Sequence, residues 1–63
     1  MSHCYTPMAA RCGDSFVPEV RNRQRRYVLP KGRGLTHLKS RAMKVETKKR
    51  ALEEAREYID KKL

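Results

Sequence analysis

Four arginines, Arg21, Arg23, Arg25 and Arg26, fall within the six-residue run Arg-Asn-Arg-Gln-Arg-Arg, and Tyr27 follows at once. A guanidinium fork offers parallel N–H donors that match a phosphate, and its flat face stacks on bases. A tyrosine ring beside it can stack on an unpaired base, a common way of holding single-stranded RNA. Lys31 and Arg33 then alternate with Gly32 and Gly34, so a cation sits where the backbone can come close to a partner. Lys39 continues the series. Arg41, Lys44 and Lys48 stand at i, i+3 and i+7, and would share one face of a helix. These eleven residues form the expected nucleic-acid-binding set.

Other chemistry has thinner support. His3, Cys4, Cys12 and His37 are the only soft metal ligands. Structural zinc sites use short paired spacings such as C-x2-C, which are missing here, so neither a metal nor any other cofactor is expected. Cys4 and Cys12 could pair only in an oxidising setting, and one pair makes no disulfide framework. Glu53, Glu54, Glu57 and Asp60 lie among bases at helical spacing and read as ion-paired surface. A chain of 63 residues cannot enclose a catalytic pocket, and no enzyme is expected.

The elements that must position the cations follow from breakers and periodicity. Residues 1–15 lack a clear period, are interrupted by Pro7 and Gly13, and read as a flexible tail. Residues 16–34 read as an extended basic segment. In it, Pro18 argues against a central strand over Phe16–Val20, and Tyr27–Pro30 could form one short strand. From Leu35 to Leu63 there is neither Gly nor Pro, and good helix formers dominate. Apolar residues at 35, 38, 42, 45, 52, 59 and 63 keep a three-four spacing with two gaps. Ala51, Leu52, Ala55, Tyr58 and Ile59 mark an amphipathic face. Glu46–Arg50 and Glu57–Lys61 are candidate i,i+4 pairs.

The expected fold is therefore mainly α: an extended basic N-terminal half followed by one long C-terminal helix, 36–62, secure over 48–62. The alternative is a small α+β unit. In it Thr47 caps a helix beginning at Lys48, and residues 36–46 form a strand that pairs with 25–30 through the Lys31–Gly34 turn. The long helix is preferred because 38–46 does not alternate. Leu52, Ala55, Ile59 and Leu63 would pack on the same chain, on a protein partner or on a second copy.

Composition bounds the function. Net charge is +9, and residues 21–50 hold twelve Lys and Arg against Glu46 alone. The flanking segments each sum to −1, so the excess is confined to thirty residues. Such a block repels itself and is favoured when a polyanion neutralises it. Leu, Ile, Val and Phe number 11 of 63 and there is no Trp, so a core is thin. No apolar run approaches the roughly 18 residues of a membrane span, and no secretory signal pattern is present. The expected setting is cytoplasm or an organelle matrix, without secretion or membrane attachment. RNA is favoured over DNA as partner, in a structural component of a ribonucleoprotein particle of ribosomal type. The alternatives are a small DNA-binding regulator of viral type with a ββα unit, and a basic adaptor or inhibitor of an acidic protein.

Overall fold

Three short interruptions, at Gly13-Asp14, Asn22–Gln24 and Pro30–Gly34, fold the first half of the chain into an antiparallel meander. The computed structural model describes residues 5–62. Its strands are β1 (Thr6–Cys12), β2 (Ser15–Arg21), β3 (Arg25–Val28) and β4 (Leu35–Thr36), in the order β1-β2-β3-β4. Single 3₁₀ turns occupy Pro30–Gly32 and Lys39–Arg41, and one helix, α1 (Lys48–Lys62), closes the fold. Gly13 takes φ +62° between the closing pair Cys12 and Ser15, as the first central residue of a type II′ hairpin turn requires. Strand and helix contribute comparably, so the fold is α+β and the mainly α expectation is corrected.

Pro18 explains how the second half joins the sheet. Phe16 exchanges both backbone hydrogen bonds with Val45, each 2.8 Å, and so directs its N–H and C=O away from β1. Two residues on, Pro18 faces the same way but has no N–H to offer β3. The carbonyl of Val28, past the last paired position of β3, instead accepts from the Met43 N–H at 2.9 Å. The 43–45 segment thus fills the place beside β2 that a longer β3 would have taken. Pro18 lies inside the sheet after all. On β1 the same parity turns the nitrogen of Pro7, opposite Val20, to the open edge, where it costs no ladder bond.

Register sorts side chains between the two faces. Pro7, Ala9, Pro18, Val20 and Val28 point to the side that α1 covers; Pro7 lines a groove with Leu52 and Arg56, and Val28 one with Glu54 and Tyr58. Ala51 and Ala55 are fully buried, and their small size lets the helix lie close on β1 and β2. Val17, Val20, Val28 and Ala42 complete a core of small residues. At this size one or two kcal/mol matters to stability.

The long helix fails over 36–46. Thr36 is in β4, Arg41 closes a 3₁₀ turn, Ala42 is buried and Val45 pairs with Phe16, while Leu38 stays 53% exposed. The competing strand pairing is realised only at its start, Tyr27 opposite Thr36 and Val28 opposite Leu35. Tertiary hydrogen bonds to Phe16 and Val28 outweigh the local three-four spacing. Residues 6–12, read as tail, are β1, a strand with Pro7 and Ala9 on the side of α1 and Met8 and Ala10 on the other. Residues 1–4 of that tail lie outside the described residues.

The helix over 48–62 forms as its periodicity requires, and Thr47 is its cap: the Arg50 N–H donates to Thr47 Oγ1 at 3.1 Å. Glu57 pairs with Lys61 at 3.2 Å. Glu46 precedes the helix, and Arg50 instead meets Glu54 at 3.5 Å. Thr47→Ala is expected to cost about 1 kcal/mol, a fall in Tm on the order of 4–8 °C for a domain of this size. A thermal melt followed at 222 nm checks it, and an unchanged Tm would deny the cap its role.

Candidate nucleic-acid interface

The β2–β3 hairpin gathers most of the arginine run at one end of the sheet. Arg21 and Arg25 are the closing pair, directly opposite each other, and Asn22, Arg23 and Gln24 make the loop. Arg26 faces Val20 on the helix-covered side, beyond the covered core. Residues 22–26 are all exposed. Like charges directly across a strand pair destabilise a sheet. One carboxylate relieves this pair: Glu19, two residues before Arg21 on the same face, accepts from Arg21 Nε at 3.0 Å. Glu19 is buried, its side chain only 5% exposed against 39% for Arg21. Arg26 Nη2 donates to Gln24 Oε1 at 2.9 Å.

The face away from the helix continues this basic end. Met8, Ala10, Val17, Glu19, Arg21, Arg25 and Tyr27 point there by register. The Lys39 side chain reaches across it. Its Nζ donates to the Arg11 carbonyl at 3.2 Å and stands 6.0 Å from the centre of the Tyr27 ring. That cation–π contact and the half-burial of Tyr27 leave little of the ring as a platform for an unpaired base. Glu53, Glu54, Glu57 and Asp60 are on α1, which packs against the opposite side. α1 also carries six Lys and Arg, so the side it covers holds no acidic excess.

The remaining expected cations are dispersed. Lys31 and Arg33 sit in the loop beyond the other end of β3, beside α1: a Cβ on Gly32 would lie 4.0 Å from Tyr58. Lys31 itself takes φ +63°, a strained backbone setting for a non-glycine residue. Arg41 is in the second 3₁₀ turn. Lys44, in the extended segment after it, donates to the carbonyls of Ser40 at 2.9 Å and Ala42 at 3.4 Å. Lys48 opens α1. The helical face expected to unite Arg41, Lys44 and Lys48 therefore does not exist, because no helix spans them. Asn22 and Gln24, outside the expected set, share the exposed loop with Arg23; their signal was their place between arginines in a turn-forming run. The expected partner face is largely spent within the chain: Ala55 is buried on the sheet, Ile59 is half-buried and Leu52 is 37% exposed. Leu63 lies outside the described residues.

Among the described residues no three His, Cys, Asp or Glu side chains converge as a metal site. His3 and Cys4, and with them the Cys4–Cys12 pairing, lie outside those residues. No helix among the described residues is long and apolar enough to cross a membrane. Compared with protein-family models, with curated proteins and with solved structures, the chain has no significant match in any of the three.

Proposed function

We propose that this chain is a small DNA-binding protein that docks the exposed end of the β2–β3 hairpin, with Lys39 beside Tyr27, on a duplex. One observation carries the reading: Arg21, Arg23, Arg25 and Arg26 are concentrated at one hairpin end, where residues 22–26 are all exposed. An extended basic thread, the basis for expecting RNA in a ribonucleoprotein, is replaced by a folded hairpin. A two-stranded ribbon fits the wide major groove of B-form DNA, whereas the deep, narrow major groove of A-form RNA does not admit side chains in this way. The screening of Tyr27 by Lys39 also favours duplex over unstacked bases.

Arg21, Arg23, Arg25, Arg26 and Lys39 supply the positive charge of this surface. If about five phosphates are neutralised, the slope of log K against log salt for duplex DNA should be about −4.5. Between 50 and 200 mM salt this is about a 500-fold loss of affinity. Fluorescence anisotropy with DNA and RNA duplexes and with single strands tests it. Tighter binding to DNA duplex with a steep slope is expected. A slope near zero, or a clear preference for single-stranded RNA, would remove the reading.

A further inference from the structure

Arg23 and Arg25 are exposed at the hairpin end, Arg26 is tied to an exposed glutamine, and Arg21 alone is held by a buried carboxylate. Arg21 is held by Glu19, a carboxylate that is itself buried. The contact engages Nε. The two terminal nitrogens, Nη1 and Nη2, remain as a fork whose plane is set by the Nε bond. A general phosphate contact needs none of this, since a mobile guanidinium serves a backbone as well. A fixed fork suits an acceptor pair of fixed geometry. In the major groove that pair is guanine O6 and N7.

The neighbouring groups make poorer base readers. Gln24 resembles an adenine reader, but its carbonyl oxygen already accepts from Arg26. The bidentate adenine contact needs that oxygen and the amide nitrogen together. Arg26, in turn, has one terminal nitrogen committed to Gln24. The carboxylate also has an electrostatic consequence. An anion beneath the contact face weakens attraction to phosphates in general, so its place there is an expense for non-specific binding and a gain only for orientation.

We propose that Arg21, positioned by Glu19, reads a guanine edge in the major groove of duplex DNA, so that the protein binds with base preference as well as by charge. Arg21 is the contacting residue and Glu19 the positioning residue. The proposal rests on the duplex-binding reading above.

The experiment begins with selection of bound duplexes from a randomised library by the full chain, followed by titration of the selected duplex and of versions with each guanine exchanged. One guanine should be required, its exchange costing about 5- to 150-fold in affinity, the range for a bidentate contact. Arg21→Lys keeps the charge and loses the fork. It should abolish most of that discrimination, whereas affinity for non-selected duplex should fall by a much smaller factor. Glu19→Gln keeps an acceptor for Nε but removes the anion. It should lower discrimination and leave non-selected binding equal or tighter, an opposite movement that mere loss of fold would not produce. Circular dichroism confirms that each variant is folded. Should Glu19→Gln fail to fold, Arg21→Lys still decides. Discrimination unchanged in folded Arg21→Lys would overturn the proposal, as would equal binding of all duplexes by the wild type, which leaves duplex binding itself intact. No duplex binding by the wild type would remove both.

Discussion

Arg23, Arg25 and Arg26 replaced together by alanine should bind duplex DNA about 100-fold more weakly at 50 mM salt, near 1 kcal/mol for each lost charge-assisted contact. The salt slope should fall by about three, roughly one for each phosphate contact removed. All three residues are exposed, and Arg26 donates to Gln24 of the same hairpin end. The fold should therefore survive, with the helical circular dichroism signal unchanged. Lys31→Ala with Arg33→Ala provides the contrast. Both variants remove cations from the same basic block of sequence, but these two lie beyond the opposite end of β3. That double variant should change affinity by only a few-fold. Equal losses from the two variants would mean that bulk charge, and not the hairpin, makes the interface.

Ala55→Asp should unfold the protein. Ala55 has no exposed surface and sits where α1 meets the sheet. A carboxylate there is buried without a partner, at a cost of several kcal/mol. A single core in a domain of this size rarely supplies more than about 3–5 kcal/mol, so the deficit is not absorbed. Ala55→Leu, apolar but larger, should destabilise by about 1–3 kcal/mol through overpacking while keeping a cooperative transition. Chemical denaturation, with amide dispersion in a proton–nitrogen spectrum, separates the outcomes. A folded Ala55→Asp with wild-type stability would show that α1 is not clamped on the sheet as described.

These two expectations draw on different levels of the molecule. The weight of charge in residues 21–50 was legible directly, since charge depends on composition alone. The Arg–Asn–Arg–Gln–Arg–Arg run was legible as basic, but not as a hairpin end. That required seeing that Glu19–Arg21 and Arg25–Tyr27 pair, and Pro18 argued against it. The clue to the first hairpin, Gly13-Asp14 between two segments of strand length, was present and was outweighed by Pro7 and the weak alternation before it. Chain-neighbour patterns also could not tell that Glu19 would be buried beside Arg21. The i,i+2 spacing puts two residues on one face only once the segment is a strand.

Residues 48–62 are helix on local grounds: the apolar stripe of Ala51, Ala55, Tyr58 and Ile59, the Thr47 cap and the Glu57–Lys61 pair all act within a few residues of each other. Helix of that kind is encoded where it stands, and sequence alone determined it, together with the confinement of excess charge to the middle of the chain. Residues 36–46 had helix-forming composition and spacing too, and the tertiary structure decided otherwise. Pro18 has no donor for β3, so the Val28 carbonyl and both polar groups of Phe16 must be satisfied by something else. The 43–45 segment satisfies them across a wide separation in sequence. A helix there would have met its own hydrogen bonds and left those buried groups of the sheet unpaired, a cost that appears only when both halves of the chain are in place.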